Sequence, residues 1–177
     1  MMRRFHIIIS VFVGFSLISC RNKQDTGETR TLNQEQVQER LLEANKTVIT
    51  AENDQIDTFI ALNNWDMNKT GTGLRYQVIE KGKGLKVVTG KFVKFEYEVK
   101  LISGEKIYSS TQTGPKEFRV GSGGVESGLE EGMLLLSVGD KARFIIPSYL
   151  AHGLSGDQDK IPPKATLIYT VKLIDLQ

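Results

Sequence analysis

Residues Val120–Gly153 read VGSGGVESGLEEGMLLLSVGDKARFIIPSYLAHG, and two periods follow one another within them. Ser127 with Glu130 three residues on has the form of a capping box, and Leu129, Met133 and Leu136, joined by Leu134 and Leu135, supply an apolar face at helical spacing. Gly139 is the expected helix stop. From Asp140 the period drops to two: Ala142, Phe144 and Ile146 alternate with Lys141, Arg143 and Ile145, which predicts a strand ended by Pro147. A short apolar helix feeding straight into a strand predicts an α+β domain in which the helix lies on a sheet.

The flanking sequence supplies the other strands. Phe92 to Leu101 alternates Val93, Phe95, Tyr97, Val99 and Leu101 against Lys94, Glu96, Glu98 and Lys100, so one face is core and the other faces water. Leu74 to Lys81 is likewise a half-buried strand, Leu74, Tyr76 and Val78 alternating with Arg75, Gln77 and Glu80 nearby, and Gly82 and Gly84 mark the turn after it. Ile107-Tyr108 follows the Ser103-Gly104 turn, Phe118-Arg119-Val120 follows the Gly114-Pro115 break, and Thr166 to Leu176 alternates Leu167, Tyr169, Val171 and Leu173. These segments predict a curved antiparallel sheet around one short helix.

The N-terminal third reads differently. Met1 to Ser19 has Arg3 and Arg4, then an apolar run from Ile7 to Ile18, the layout of a signal peptide and too short for a stable transmembrane helix. Leu17-Ile-Ser-Cys20 resembles the lipobox of bacterial lipoproteins, which implies cleavage over residues 1–19 and lipidation, palmitate included, of Cys20. Cys20 is the only cysteine, so no internal disulfide competes for it. Losing the signal removes two of the 23 basic residues and none of the 21 acidic ones, leaving 21 of each. With no basic stripe interleaved with aromatics, no nucleic-acid partner is expected.

Residues 20–32 are polar and aperiodic, a flexible tether. Residues 33–66 are expected to form a helical extension: Asn33 and Gln36 make a capping-box-like start, Val37, Leu41, Leu42, Ala44 and Val48 recur at three and four, and a second helix after Thr50 uses Ile56, Phe59, Ile60, Leu62 and Trp65. Its apolar face can be covered by the domain of residues 67–177, the preferred reading, or by a second copy of the chain.

Familiar catalytic arrangements are missing. VGSGG lacks the third glycine of a dinucleotide fingerprint and reads as turn chemistry, and no Walker-type GKS or GKT is present. His6 lies in the signal and His152 has no His or Cys partner, so neither a metal nor a cofactor is expected. No G-x-S-x-G exists to make a hydrolase elbow. What remains is a site of aromatic and aliphatic groups.

TGTGLRYQVIEKGKG, FVKFEYEVKL, GEKIYSS, SGLEEGMLLLSVGDKARFIIPSYLAHG and KIPPKATLIYTVKLIDLQ, in that order and spacing, resemble the FK506-binding-protein (FKBP) family of peptidyl-prolyl isomerases over roughly Thr70 to Gln177. The resemblance implies that fold, isomerase activity on proline-containing polypeptides, and a pocket at Tyr97, Tyr108, His152 and Tyr169 (catalytic) with Ile107, Phe118, Val125, Glu126, Leu129 and Ile161 (substrate-binding). From pattern alone, Tyr97, Val125, Leu129 and Tyr169 read as core packing; their functional role is carried by the joint match. The resemblance further implies that the backbone N–H at Glu126 and a side-chain donor at His152 hold substrate carbonyls.

This chain departs from most active members: Tyr108 stands for Asp, His152 for Tyr, Glu126 for an aliphatic residue, Lys116 for an aromatic, and Leu129 for a tryptophan often found at the pocket floor. GEKIYSS, ESGLEEG and IPSYLAHGLSGD are similar to gliding-motility-associated lipoprotein isomerases of Bacteroidetes-like bacteria. The expectation is therefore an isomerase on the periplasmic face or outer membrane of the cell envelope, held by a lipid anchor and assisting the folding of exported proteins. A non-catalytic chaperone or assembly adaptor using the same groove is the alternative.

Overall fold

Asn33 opens the first described element by a true capping box: its side chain accepts from Gln36 N–H at 2.8 Å, and the Gln36 side chain accepts from Asn33 N–H. The computed structural model describes residues 33–177, so the expected signal, Cys20 and the tether lie outside the described residues. Helix α1 runs unbroken over Gln34–Leu62, where two helices were expected. No Gly or Pro interrupts these residues, and Thr47, Asn53 and Thr58 turn their side chains back onto the carbonyls of Glu43, Ile49 and Asp54 rather than ending the helix. Among the described residues no helix is long and apolar enough to cross a membrane.

Seven strands follow: β1 (Asn68–Lys69), β2 (Arg75–Glu80), β3 (Phe92–Leu101), β4 (Lys106–Ser109), β5 (Lys116–Arg119), β6 (Lys141–Ile146) and β7 (Leu167–Leu176). All pair antiparallel in the order β1-β2-β6-β7-β3-β4, with β5 beside β3. A one-turn helix α2 (Ser110–Thr113) follows β4, and α3 (Ser127–Leu134) lies on the inner face. The expected antiparallel sheet on a short helix, with an N-terminal helical extension, is present.

The start of α3 differs from the expectation. Its N-cap is Glu126 rather than Ser127, and no side-chain cap forms. Ser127 instead donates to Leu150 O at 3.3 Å, and Glu130 accepts from Gly121 N–H, so both predicted capping partners serve neighbouring loops. The helix also ends at Leu134, well before Gly139. Gly128 and Gly132 let α3 approach β6 closely: a Cβ at Gly132 would lie 2.8 Å from Phe144 Cζ, and one at Gly128 would collide with Ile146 Cγ2.

Leu129, Met133 and Leu136 join Phe95, Phe144, Ile146, Leu167 and Val171 in the main core between α3 and the sheet. The opposite sheet face is also covered. Ile145 and Ile168 meet Ile56, Phe59 and Ile60 of α1 together with Trp65 and Met67, and the Arg143 guanidinium sits 3.7 Å from the Trp65 ring centroid. Buried Arg75, expected on a half-wet face, is satisfied there by Asp57 at 2.6 Å, Asn53 and the Gly73 carbonyl. The outer half of α1 stands clear of this contact, with Leu41 59% and Leu42 64% exposed.

Truncating Ile56, which is fully buried, is expected to lower the unfolding free energy by about 3 kcal/mol. Leu42→Ala should change it by under about 0.5 kcal/mol. Urea denaturation of both variants checks this, and equal effects would contradict the docking of α1.

Candidate functional site

Cross-strand register builds the site. Tyr76 of β2, Phe144 of β6, Tyr169 of β7, Val99 of β3 and Tyr108 of β4 are successive lateral partners, so they form one row on the concave face. At the β4 end of that row the sheet is not covered by α3, and a groove of about 520 Å³ opens. Val99, Tyr108, Lys116, Gly124, Val125, Glu126, Ala151, His152, Asp157, Ile161 and Tyr169 line it.

Of the residues singled out from sequence, Tyr108, Val125, Glu126, His152, Ile161 and Tyr169 are brought together on the groove wall. Tyr97, Ile107, Phe118 and Leu129 lie behind them in the main core, all nearly inaccessible. The Tyr97 hydroxyl bonds the Thr113 hydroxyl at 2.7 Å, and Lys116 Nζ stands 4.9 Å from its ring centroid. Phe118 packs edge-on against Phe95.

Two carboxylates organise the polar side of the groove. Glu126 Oε1 accepts from the Tyr169 hydroxyl at 2.6 Å and lies 3.0 Å from His152 Nε2. A carboxylate oxygen only accepts, so Nε2 carries the hydrogen in this contact. Burial, then the Glu126 charge and hydrogen bond, push the Tyr169 phenol up, and it stays a donor.

Asp157 holds the second cluster. Its Oδ1 accepts from the N–H groups of Asp159 at 3.0 Å and Ile161 at 2.7 Å, while Oδ2 accepts from the Tyr108 hydroxyl. The Tyr108 phenol is pushed up by that bond, by burial and by Asp159, 3.2 Å away. Burial opposes ionisation of Asp157, yet the Tyr108 hydroxyl, the two backbone N–H groups and neighbouring His152 outweigh it and bring the carboxyl from 3.8 down to about 2.

Although Tyr108 stands where most members of the resembled family have Asp, two carboxylates, Glu126 and Asp157, line the groove. The Tyr108 hydroxyl and the His152 Nε2–H are spent on those carboxylates rather than held free for a ligand. Among the described residues the backbone N–H of Glu126 makes no hydrogen bond, so it is one available donor at the groove, with the Lys116 ammonium another.

Sequence reasoning missed Val99, Gly124, Ala151 and Asp157 as lining residues. Val99 was within reach, since it shares the face of Tyr97 at period two. Asp157, in a polar loop, carried no periodic signal. Among the described residues no cluster of three or more His, Cys, Asp or Glu could hold a metal.

Comparison with known proteins places this geometry. Residues 83–174 match the family model described as FKBP-type peptidyl-prolyl cis-trans isomerase. The chain is 40% identical over 108 residues to the probable FKBP-type peptidyl-prolyl cis-trans isomerase FkpA of Neisseria meningitidis, covering 60% of this chain and 39% of the relative. It is 37% identical over 110 residues to FK506-binding protein 2 of Dictyostelium discoideum, covering 62% of this chain and 81% of that one. The crystal structure of FkpA from Escherichia coli superposes with a TM-score of 0.61 at 28% identity, over 83% of this chain and 74% of that chain. The chain thus spans well under half of the Neisseria relative's length.

Asp157 yields a pH prediction. Its folded value lies below the ordinary one, so the loop stabilisation from its anion is complete above 3.8 and is lost as pH falls toward about 2. The Ile161 amide signal in NMR is expected to titrate across that window. In Tyr108→Phe, which removes the side-chain donor, the transition should move to higher pH.

Proposed function

We propose, from the premise that this chain belongs to the FKBP-type peptidyl-prolyl cis-trans isomerase family, that its groove catalyses cis-trans isomerisation of X-Pro bonds in polypeptides. The observation that carries the reading is the groove beside α3, walled by Val99, Val125, Ile161 and Tyr169, with the uncommitted backbone N–H of Glu126 at its edge.

An X-Pro amide resists rotation by roughly 18–20 kcal/mol because its C–N bond has partial double-bond character. Water favours the planar, charge-separated amide. Apolar walls that displace that water weaken the resonance and favour the twisted state, while the Glu126 N–H holds a substrate carbonyl in place. Neither a nucleophile nor proton transfer is needed, and each tenfold in rate requires about 1.4 kcal/mol of preferential binding of the twisted amide.

The polar clusters have a supporting role in this reading. Tyr169 and His152 are locked to Glu126, and Asp157 fixes the backbone of Ile161, so the walls are set before substrate arrives. Preorganisation of this kind favours catalysis over loose binding of apolar segments, the adaptor alternative.

The same proposal includes location and assembly. Cys20, lipidated after signal removal, anchors the protein in the cell envelope, where exported proteins are its substrates; the motility association stands on sequence likeness. Val37, Leu41 and Val48, exposed on one side of the outer half of α1, are the surface through which two copies pair.

Protein lacking residues 1–20 should accelerate X-Pro exchange in a short peptide, measured by NMR exchange spectroscopy. Ile161→Ala is expected to lower kcat/KM about tenfold, the effect of about 1.4 kcal/mol. No acceleration with any residue before proline, alongside suppression of client aggregation, would favour the adaptor. Cys20→Ser should abolish incorporation of a palmitate analogue in cells.

A further inference from the structure

Glu52, in the middle of α1, spends its carboxylate on the isomerase-like domain rather than on a cation. Oε1 accepts from Ser148 N–H at 2.6 Å and from the Thr166 hydroxyl at 2.7 Å, and Oε2 accepts from the Ser148 hydroxyl at 2.9 Å. Ser148 and Thr166 are both buried, 9% and 4% exposed, so these donors have little access to water if Glu52 is lost.

The two residues it holds lie on the two routes to Glu126. Ser148 begins the 3₁₀ turn Ser148–Leu150 after β6, and its carbonyl accepts from Ala151 N–H at 3.0 Å and Gly153 N–H at 2.8 Å. His152 is therefore bracketed by two backbone bonds to a residue that Glu52 itself fastens. Thr166 immediately precedes β7, which delivers Tyr169 three residues later. His152 and Tyr169 then converge on the same Glu126 oxygen.

We propose that Glu52 is a positioning residue of the groove: one carboxylate on the helical extension sets the relative placement of the His152 turn and the start of β7. The extension is then part of the site's framework as well as a spacer. This inference rests on the isomerase reading for its kinetic consequence, and on geometry alone for its structural one.

The test compares Glu52→Ala and Glu52→Gln in the full chain, with Glu39→Ala on the exposed half of α1 as control. Glutamine keeps all three contacts, because its carbonyl oxygen accepts from Ser148 N–H and Thr166 while its amide donates to the Ser148 hydroxyl. Glu52→Ala is expected to lower kcat/KM on an X-Pro peptide about tenfold, with Glu52→Gln recovering most of it and Glu39→Ala matching the parent. In a His152→Ala background, Glu52→Ala should cost distinctly less than in the parent, the coupling expected of residues acting through one turn.

NMR signals of the His152 ring and of the Ala151 and Gly153 amides give a readout independent of turnover. They should shift and broaden in Glu52→Ala and stay in place in Glu52→Gln. A chain without isomerase activity would overturn the proposed function and leave these signals to decide the role of Glu52. Unchanged signals in Glu52→Ala, a lowered melting temperature with kcat/KM intact, or full additivity with His152→Ala would each overturn the positioning role.

Discussion

A strand whose side chains alternate can be buried on both faces only if something covers each face, and β6 sets that requirement for this molecule. Ala142, Phe144 and Ile146 point into the main core under α3, while Ile145 and the Arg143 stem point the other way. With β7 beside it carrying Leu167, Tyr169 and Val171 inward and Ile168 outward, the β6–β7 ladder must be roofed twice. Helix α3 roofs one side and the inner half of α1 the other. The groove exists where the first roof stops short.

The polar chemistry of the groove follows from that placement. Phenols and an imidazole at the edge of an apolar core need partners, and here they are carboxylates: Glu126 for Tyr169 and His152, Asp157 for Tyr108. A carboxylate that accepts from several donors satisfies those hydroxyl and imidazole N–H groups at once, and it fixes their side chains in one rotamer. The departures at positions 108, 126 and 152 read in this light as a set, with carboxylates and their donors rearranged together. A peptide there meets the apolar side chains of Val99, Val125 and Ile161 and the free backbone N–H of Glu126, which suits a reaction whose barrier lies in amide resonance rather than in bond cleavage.

The second roof has consequences for the first. Asp57, Asn53 and Glu52 lie on the inner half of α1, and each is matched to a buried donor on the domain. Apolar contact alone would let the helix slide or rotate; directional bonds to Arg75, Ser148 and Thr166 give it a single seat. Of these, the bonds from Ser148 and Thr166 to Glu52 join the extension to the turn that carries His152 and to the start of β7.

Period-two and helical patterns were sufficient to identify β2, β3, β6, β7 and the existence of α3, because a strand or helix with one buried face must write that face into its sequence. The outer covering was less legible: Arg75 read as a solvent-facing residue, since its counter-charge lies 18 residues upstream on another element. Likewise Ser127 and Glu130 had the right spacing for a capping box, but Leu150 and Gly121 offered competing partners that no local pattern can register. The row Tyr76, Phe144, Tyr169, Val99, Tyr108 and the role of Asp157 were settled only by tertiary structure. Strand register and loop closure bring together residues up to 93 positions apart, and those distances are set by the packing of the whole sheet. Local periodicity thus determined which elements form and which faces they bury; long-range pairing decided which side chains meet.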